Sequence, residues 1–185
     1  MNSYRINTNY AKALIMLASE VGDIDRVADD MRMVGDVAAS NRELAAVFAN
    51  PVVKADKKAA VLRDLFADRV SEASMAFLVF VVRKNRTANL RGISEAYLDL
   101  WRIERGIVRS DLVSYQPIDE SAREMVTRLV GEYTGKQVEL HDRTDARMLG
   151  GFKLEFNHNM YDARIRTKIR KLRREFARND YESKL

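Results

Sequence analysis

No cysteine occurs in this 185-residue chain, and histidine is found only at positions 141 and 158. The missing thiols exclude a disulfide framework, a cysteine-ligated zinc site and an iron–sulfur cluster, and suit a reducing compartment. Neither His141 nor His158 stands in a metal-ligand spacing, and no carboxylate pair accompanies them, so the sequence offers no convergent catalytic or metal centre. Both read as surface or turn residues. Only two prolines and eight glycines are present, too few for a barrel or sandwich of many turns, which favours helix. Long apolar runs are missing too. Met75–Val82 is the longest unbroken one, well short of the roughly 20 residues that span a bilayer. No basic segment followed by an apolar stretch opens the chain, so neither a secretory signal nor a membrane anchor is expected. P-loop and GxGxxG patterns are absent as well.

What is present is charge and helical periodicity. The 32 basic residues are interspersed with 27 acidic ones, for a net charge of +5. That balance permits a nucleic-acid or membrane-surface partner without requiring one. Asn7, Thr8 and Asn9 offer N-caps to a segment carrying Tyr10, Leu14, Leu17, Ala18 and Val21 at helical spacing, with Ala11, Ala13, Ile15 and Met16 widening its apolar surface. Gly22-Asp23 separates it from a second helix with Ile24, Val27, Met31, Val34 and Ala38. A short helix with Leu44, Val47 and Phe48 ends before Asn50-Pro51, and another carries Val61, Leu62, Leu65 and Phe66. Met75–Val82 fits a buried strand or an all-round apolar helix, and its helical neighbours favour the helix. The last segment of this half, with Ile93, Ala96, Tyr97, Leu100 and Trp101, stops at Gly106.

The period changes after Gly106. Ile107–Tyr115 is rich in β-branched residues and reads as a strand closed by Gln116-Pro117. A helix with Ala122, Met125, Val126, Leu129, Val130 and Tyr133 follows, then strands at 137–141 and 152–156. A turn at Asn157-His158-Asn159 leads into Met160-Tyr161. A final helix sets Ile165, Ile169, Leu172 and Phe176 on one face, which is expected to be buried. The expected fold is mainly α: an N-terminal six-helix bundle, residues 1–105, followed by a small α/β domain, residues 106–185, with a β-hairpin and a basic terminal helix.

Three features invite a functional reading. Gly150-Gly151 lacks the pattern of a phosphate cradle, and serves better as a turn or a point of close backbone approach. The last helix holds Arg164, Arg166, Lys168, Arg170, Lys171, Arg173, Arg174 and Arg178 against Glu175. Such a stripe fits a solvated face, a dock for an acidic helix, or contact with nucleic-acid phosphates, although no aromatic residues alternate with the bases. The first helix and the Met75–Val82 helix are more apolar than one bundle contact requires. They form either the centre of the bundle or a groove for a partner helix.

Taken in order, these residues resemble the delta subunit family of bacterial F-type ATP synthase, whose mitochondrial counterpart is the oligomycin-sensitivity-conferring protein. Tyr10-Ala11-Lys12-Ala13-Leu14 is similar to the family's opening helix. Asn50-Pro51-Val52-Val53 with Lys57-Lys58 and Val61-Leu62 resembles its middle, and Phe77-Leu78, Arg83–Arg86, Tyr97 and Arg105–Val108 the stretch that leaves the helical half. The strongest likeness is Gly150-Gly151-Phe152, Leu154, then Asp162 and Ile165-Arg166. Two positions depart from the pattern: Ala146-Arg147 stands where the family often has Pro-Ser, and Arg164 where a Ser usually follows the acid. Asp162 is expected to cap the last helix.

The resemblance implies a non-catalytic subunit of the peripheral stalk, without a cofactor, metal, small-molecule substrate or nucleic-acid partner. It would lie peripherally at the cytoplasmic face of the inner membrane, joining the catalytic head to the membrane sector through alpha and b subunits. On that reading the alpha-binding groove is carried by Tyr10, Ala11, Leu14, Ile15, Phe77, Phe80 and Val81. The b side is carried by Phe152, Leu154, Arg166, Arg170 and Arg174, with Gly150, Gly151 and Asp162 as the structural motif. The alternative is a basic nucleic-acid-binding protein.

Overall fold

The computed structural model describes residues 3–157 and 159–177. The chain is mainly helical, with a small four-stranded sheet towards its C-terminal end. It divides into two compact units, Met1–Arg105 and Gly106–Leu185.

The first unit carries α1 (Ser3–Val21), α2 (Ile24–Ser40), α3 (Arg42–Ala49), α4 (Ala55–Phe66), α5 (Glu72–Arg83), a 3-10 turn (Thr87–Asn89) and α6 (Leu90–Arg105). The ambiguous apolar run is therefore helical. The expected caps at Asn7–Asn9 are corrected: these residues lie inside α1, which begins at Ser3. Thr8 spends its hydroxyl on the Tyr4 carbonyl one turn back, and Asn7 accepts a 2.9 Å bond from the Asn89 amide. A tertiary partner thus takes the polar group that would otherwise cap a helix. Gly92 makes that approach possible, since a β-carbon there would collide with the Asn7 side-chain amide.

True caps appear elsewhere. Asn41 accepts from the Leu44 amide at 3.0 Å to start α3. Ser71 starts α5 by accepting from the Ser74 amide, while its own amide and hydroxyl donate to buried Asp30 of α2 at 2.8 and 2.7 Å. Burying that carboxylate is tolerable because its oxygens are occupied. Lys58 is buried too, and its ammonium donates to the Phe48 carbonyl at the end of α3 and to Thr87. Around these polar locks, Ala11, Leu14 and Ala18 of α1 meet Val27, Met31 and Val34 of α2, Leu78, Val81 and Val82 of α5, and Ile93 and Tyr97 of α6. The Tyr97 phenol donates to the Ile24 carbonyl. Burial, reinforced by the charges of Asp25 and Asp30, pushes its pKa up to about 12.

The second unit runs β1 (Ile107–Ser114), α7 (Glu120–Thr134), β2 (Gln137–Thr144), β3 (Phe152–Phe156), β4 (Asn159–Asp162) and α8 (Ile165–Ala177). Strand order is β2-β1-β3-β4. β1 and β2 are parallel, joined through α7, with Val108 opposite Val138; this crossover is what a parallel pair requires. β3 pairs antiparallel with β1 and β4, placing Leu154 opposite Leu112 on one side and Tyr161 on the other. Asp119 caps α7 through the Ala122 amide at 2.8 Å, and Gly135, at φ +67°, ends it.

One sheet face packs on α7 through Val108, Leu112, Val130 and Leu154. The Arg109–Asp111 and Lys153–Glu155 ion pairs and the His141–Glu139 hydrogen bond belong to the alternate strand positions, which are mostly polar.

Candidate functional site

Among the described residues, no cluster of three or more His, Asp or Glu side chains is placed to hold a metal ion. His141 is exposed beside Glu139 at 3.1 Å, and His158 lies outside the described residues. No helix of the described residues is long and apolar enough to cross a membrane. What the chain does offer is exposed apolar surface in each unit.

In the first unit, the α1–α5 seam gathers Tyr10, Phe77 and Phe80. The Tyr10 ring meets Phe77 edge-on at 6.5 Å and Phe80 at 6.0 Å. Phe80 is 44% exposed, and the Lys84 ammonium stands 5.6 Å from its ring. Tyr10 and Ile15 are half-buried. The remaining expected groove residues lie deeper. Ala11, Leu14 and Val81 have no exposed surface and Phe77 is buried, so these four lie beneath the accessible surface of the seam. Of the expected groove residues, Tyr10, Ile15 and Phe80 keep accessible surface, and Tyr10 and Phe80 form the rim of the seam.

In the second unit, Gly150 and Gly151 have φ values of +129° and +84°. A β-carbon on Gly150 would meet the Ile165 side chain at 2.7 Å, and one on Gly151 would collide with the Ala163 carbonyl oxygen. The glycines therefore let β3 and the start of α8 close on each other. Ile165 N–H donates to the Gly150 carbonyl and Ala163 N–H to that of Phe152.

Asp162 anchors the same junction, although not as the expected cap. Its carboxylate accepts from the Arg164 guanidinium at 2.6 Å, the Arg164 amide at 3.0 Å and the Thr167 hydroxyl at 3.0 Å. The helix begins at Ile165, too far along for Asp162 to reach its first-turn amides, so the acid fixes the approach instead. The Arg164 side chain first, with its amide and Thr167 adding, holds this carboxyl well below the usual carboxylate range. The departure from the family's Ser at position 164 is thus put to use as a fork on the acid.

Beside this junction lies an open cavity of about 560 Å³, lined by α7, β3 and β4. Tyr133 contacts Phe156 at 5.7 Å, and Phe152 contacts Tyr161 at 5.8 Å. Met125, Leu129, Tyr133, Met160 and Tyr161 are all more than half exposed there, whereas Leu154 is buried below them. Phe152 and Leu154, expected on this side, thus join a larger apolar face that the sequence reading did not assign. Its signal was present: Met125, Leu129 and Tyr133 recur every four residues alongside Val126 and Val130, giving α7 more apolar width than one small sheet can cover.

The terminal helix corrects another expectation. Ile165, Ile169, Leu172 and Phe176 are not buried; they are 42, 46, 50 and 83% exposed. Among the described residues the stripe is only partly covered, because α7 already occupies the packed face of the sheet. Helical geometry places Arg166 and Arg173 along one edge of the stripe, with Arg170 and Arg174 further round.

Three comparisons bear on identity. The family model described as ATP synthase delta (OSCP) subunit matches residues 6–176. The ATP synthase subunit delta of Chlorobium luteolum is 35% identical over 175 residues, covering 94% of this chain and 96% of the relative. That of Cytophaga hutchinsonii is 35% identical over 177 residues, covering 96% and 97%. A chain of the Toxoplasma gondii mitochondrial ATP synthase hexamer has a similar fold, with a TM-score of 0.76 at 18% identity over 92% of this chain and 97% of that one. With its length matched almost throughout, the chain belongs to the ATP synthase delta (OSCP) subunit family, whose members are non-catalytic structural subunits.

Proposed function

We propose that this chain is a peripheral-stalk subunit of the F-type ATP synthase, holding the catalytic head against the torque of the rotating shaft. In this reading residues 1–105 act as a six-helix bundle domain that binds N-terminal helical segments of alpha subunits along the α1–α5 seam. Residues 106–185 act as a second domain that joins the b subunits through the α7–β3–β4 face and α8. In this reading the chain lies peripherally at the cytoplasmic face of the inner membrane.

The observation that carries this reading is the exposed apolar surface in both units of a delta-family chain. Contiguous apolar patches of this kind mark contact sites, and a stator needs binding rather than chemistry. The basic face of α8 supports a protein partner over nucleic acid, because its bases flank an apolar stripe and aromatic residues do not alternate with them as a stacking platform needs.

The alpha-side test must use the rim of the seam. Leu14→Asp or Val81→Asp buries a charge in the core and is expected to unfold the unit. Tyr10→Asp combined with Phe80→Asp leaves the core in place. Titration calorimetry with a synthetic peptide copying the N-terminus of the alpha chain should show at least about a tenfold loss of affinity, the scale of removing two aromatic anchors. Unchanged affinity with an unchanged helical circular dichroism spectrum would remove the seam as the alpha site.

A further inference from the structure

The seam occupies only one side of Phe80. On the other side, α4 and α5 line an open groove of about 630 Å³ that none of the described residues of the first unit fills. Its floor is apolar, built from Met75, Ala76, Val79 and Phe80 of α5 with Ala67 just beyond α4. The two alanines keep the floor low, so a helical backbone can approach closely. Arg63 of α4 and Arg83 of α5 stand on its walls, and Glu72 lies at the start of α5. None of these three side chains has a hydrogen-bond or ion-pair partner among the described residues.

We propose that the α4–α5 groove is a second docking site, separate from the α1–α5 seam, for an amphipathic helix whose apolar stripe is edged by carboxylates. The shape and the charge both point to that occupant. A groove between two packed helices, with an apolar floor along α5, matches the apolar stripe of a third helix. α5 has 12 residues, a length of about 18 Å at the helical rise, enough for about three turns of contact. Two unpaired guanidiniums on the walls favour acids at the edges of the incoming stripe, because the planar fork pairs with carboxylate in two parallel bonds. A base-edged helix would bring like charges against both arginines and keep only the single attraction of Glu72. Phe80 is shared with the seam, so its loss affects both sites, whereas Tyr10 belongs to one and Ala76, Arg63 and Arg83 to the other.

The test uses two synthetic peptides of about 16 residues, long enough to span α5, with the same Leu/Ala stripe edged by Glu in one and by Lys in the other. Each is titrated into the ¹⁵N-labelled full chain at physiological salt, and amide shifts map the contact. The Glu-edged peptide should shift Ala67, Ala76 and Val79 and bind about tenfold tighter than the Lys-edged one, as two exposed arginine–carboxylate pairs replace two repulsions. Arg63→Glu with Arg83→Glu should invert that preference. Ala76→Glu, on an exposed helical position that accepts Glu, should abolish the shifts in the groove, and Tyr10→Asp should leave them intact. Equal affinity for the two peptides overturns the proposal. So do shifts confined to the Tyr10 seam or to α8, or a preference that survives charge reversal. Because the Tyr10 variant affects only the seam, failure here is distinguishable from failure of the alpha-binding reading.

Discussion

Gly151 shows how much a single position decides. Its positive φ disfavours any side chain, and a β-carbon there would run into the backbone of Ala163 and Arg164. Gly151→Ala should cost the second unit about 1–2 kcal/mol from backbone conformation alone, and more from the collision. Urea unfolding followed by the β3 amide resonances measures this, while the fluorescence of Trp101, in the first unit, should be unmoved. Asp162 makes a pH-dependent contribution at the same junction. Its folded pKa is depressed, chiefly by Arg164, so the stabilisation is complete above the unfolded carboxylate value of about 4. It falls progressively as the pH drops from there towards the lower folded value. The stability gap between the chain and its Asp162→Asn variant should therefore be widest near neutrality and shrink in acid, as read by urea midpoints from pH 7 to pH 3; a constant gap would deny the carboxylate this part. Both glycines and the acid were legible in the sequence as a unit. That Arg164 and Thr167 would be the acid's partners was not, because this depends on where the first helical turn begins.

At the scale of elements, α8 is the exception in the chain. Every helix of the first unit contributes buried residues to its core, and α7 buries Val130, but α8 leaves its whole apolar stripe exposed. Helices shorter than about 12–15 residues are marginal without packing, so the amides of α8 should exchange with solvent far faster than those of α6 in the free protein. Hydrogen exchange measures this, and protection in α8 equal to that in α6 would mean the stripe is covered. The stripe has the 4-3-4 spacing of a helix pair, and Arg166 and Arg173 flank it where inter-helix charges meet. On the proposed b-subunit reading, reversing Arg166 and Arg173 to Glu should therefore weaken binding of a b-subunit helix peptide more than reversing Arg170 and Arg174, with the larger loss of salt dependence. If both pairs of changes leave affinity and salt dependence untouched, the basic face is merely solvated. Periodicity located this helix and its stripe correctly. It gave no sign that the stripe would stay open, since an amphipathic pattern reports that a face needs a partner and not whether the same chain supplies it.

At the scale of the whole molecule, each compact unit has its own apolar core, although the second core has only four fully buried members, Val108, Leu112, Val130 and Leu154. A fragment ending at Arg105 should keep its helical circular dichroism and unfold cooperatively, because Tyr97, Leu14 and Leu78 belong to one core cluster built from its residues. Loss of helix on truncation would show that the boundary is misplaced. The helical character of the first half, the change of period after Gly106, the strands and hairpin of the second, and the family could all be read from the chain alone, because propensity, spacing and glycine positions are local properties. Which apolar residues are core and which are surface could not. Leu14 and Phe80 read alike along their helices, yet one is sealed and the other open, and the stripes of α7 and α8 look buried until the sheet proves too small to cover them. Burial depends on how many faces the neighbouring elements can supply, and that number is set by packing in three dimensions.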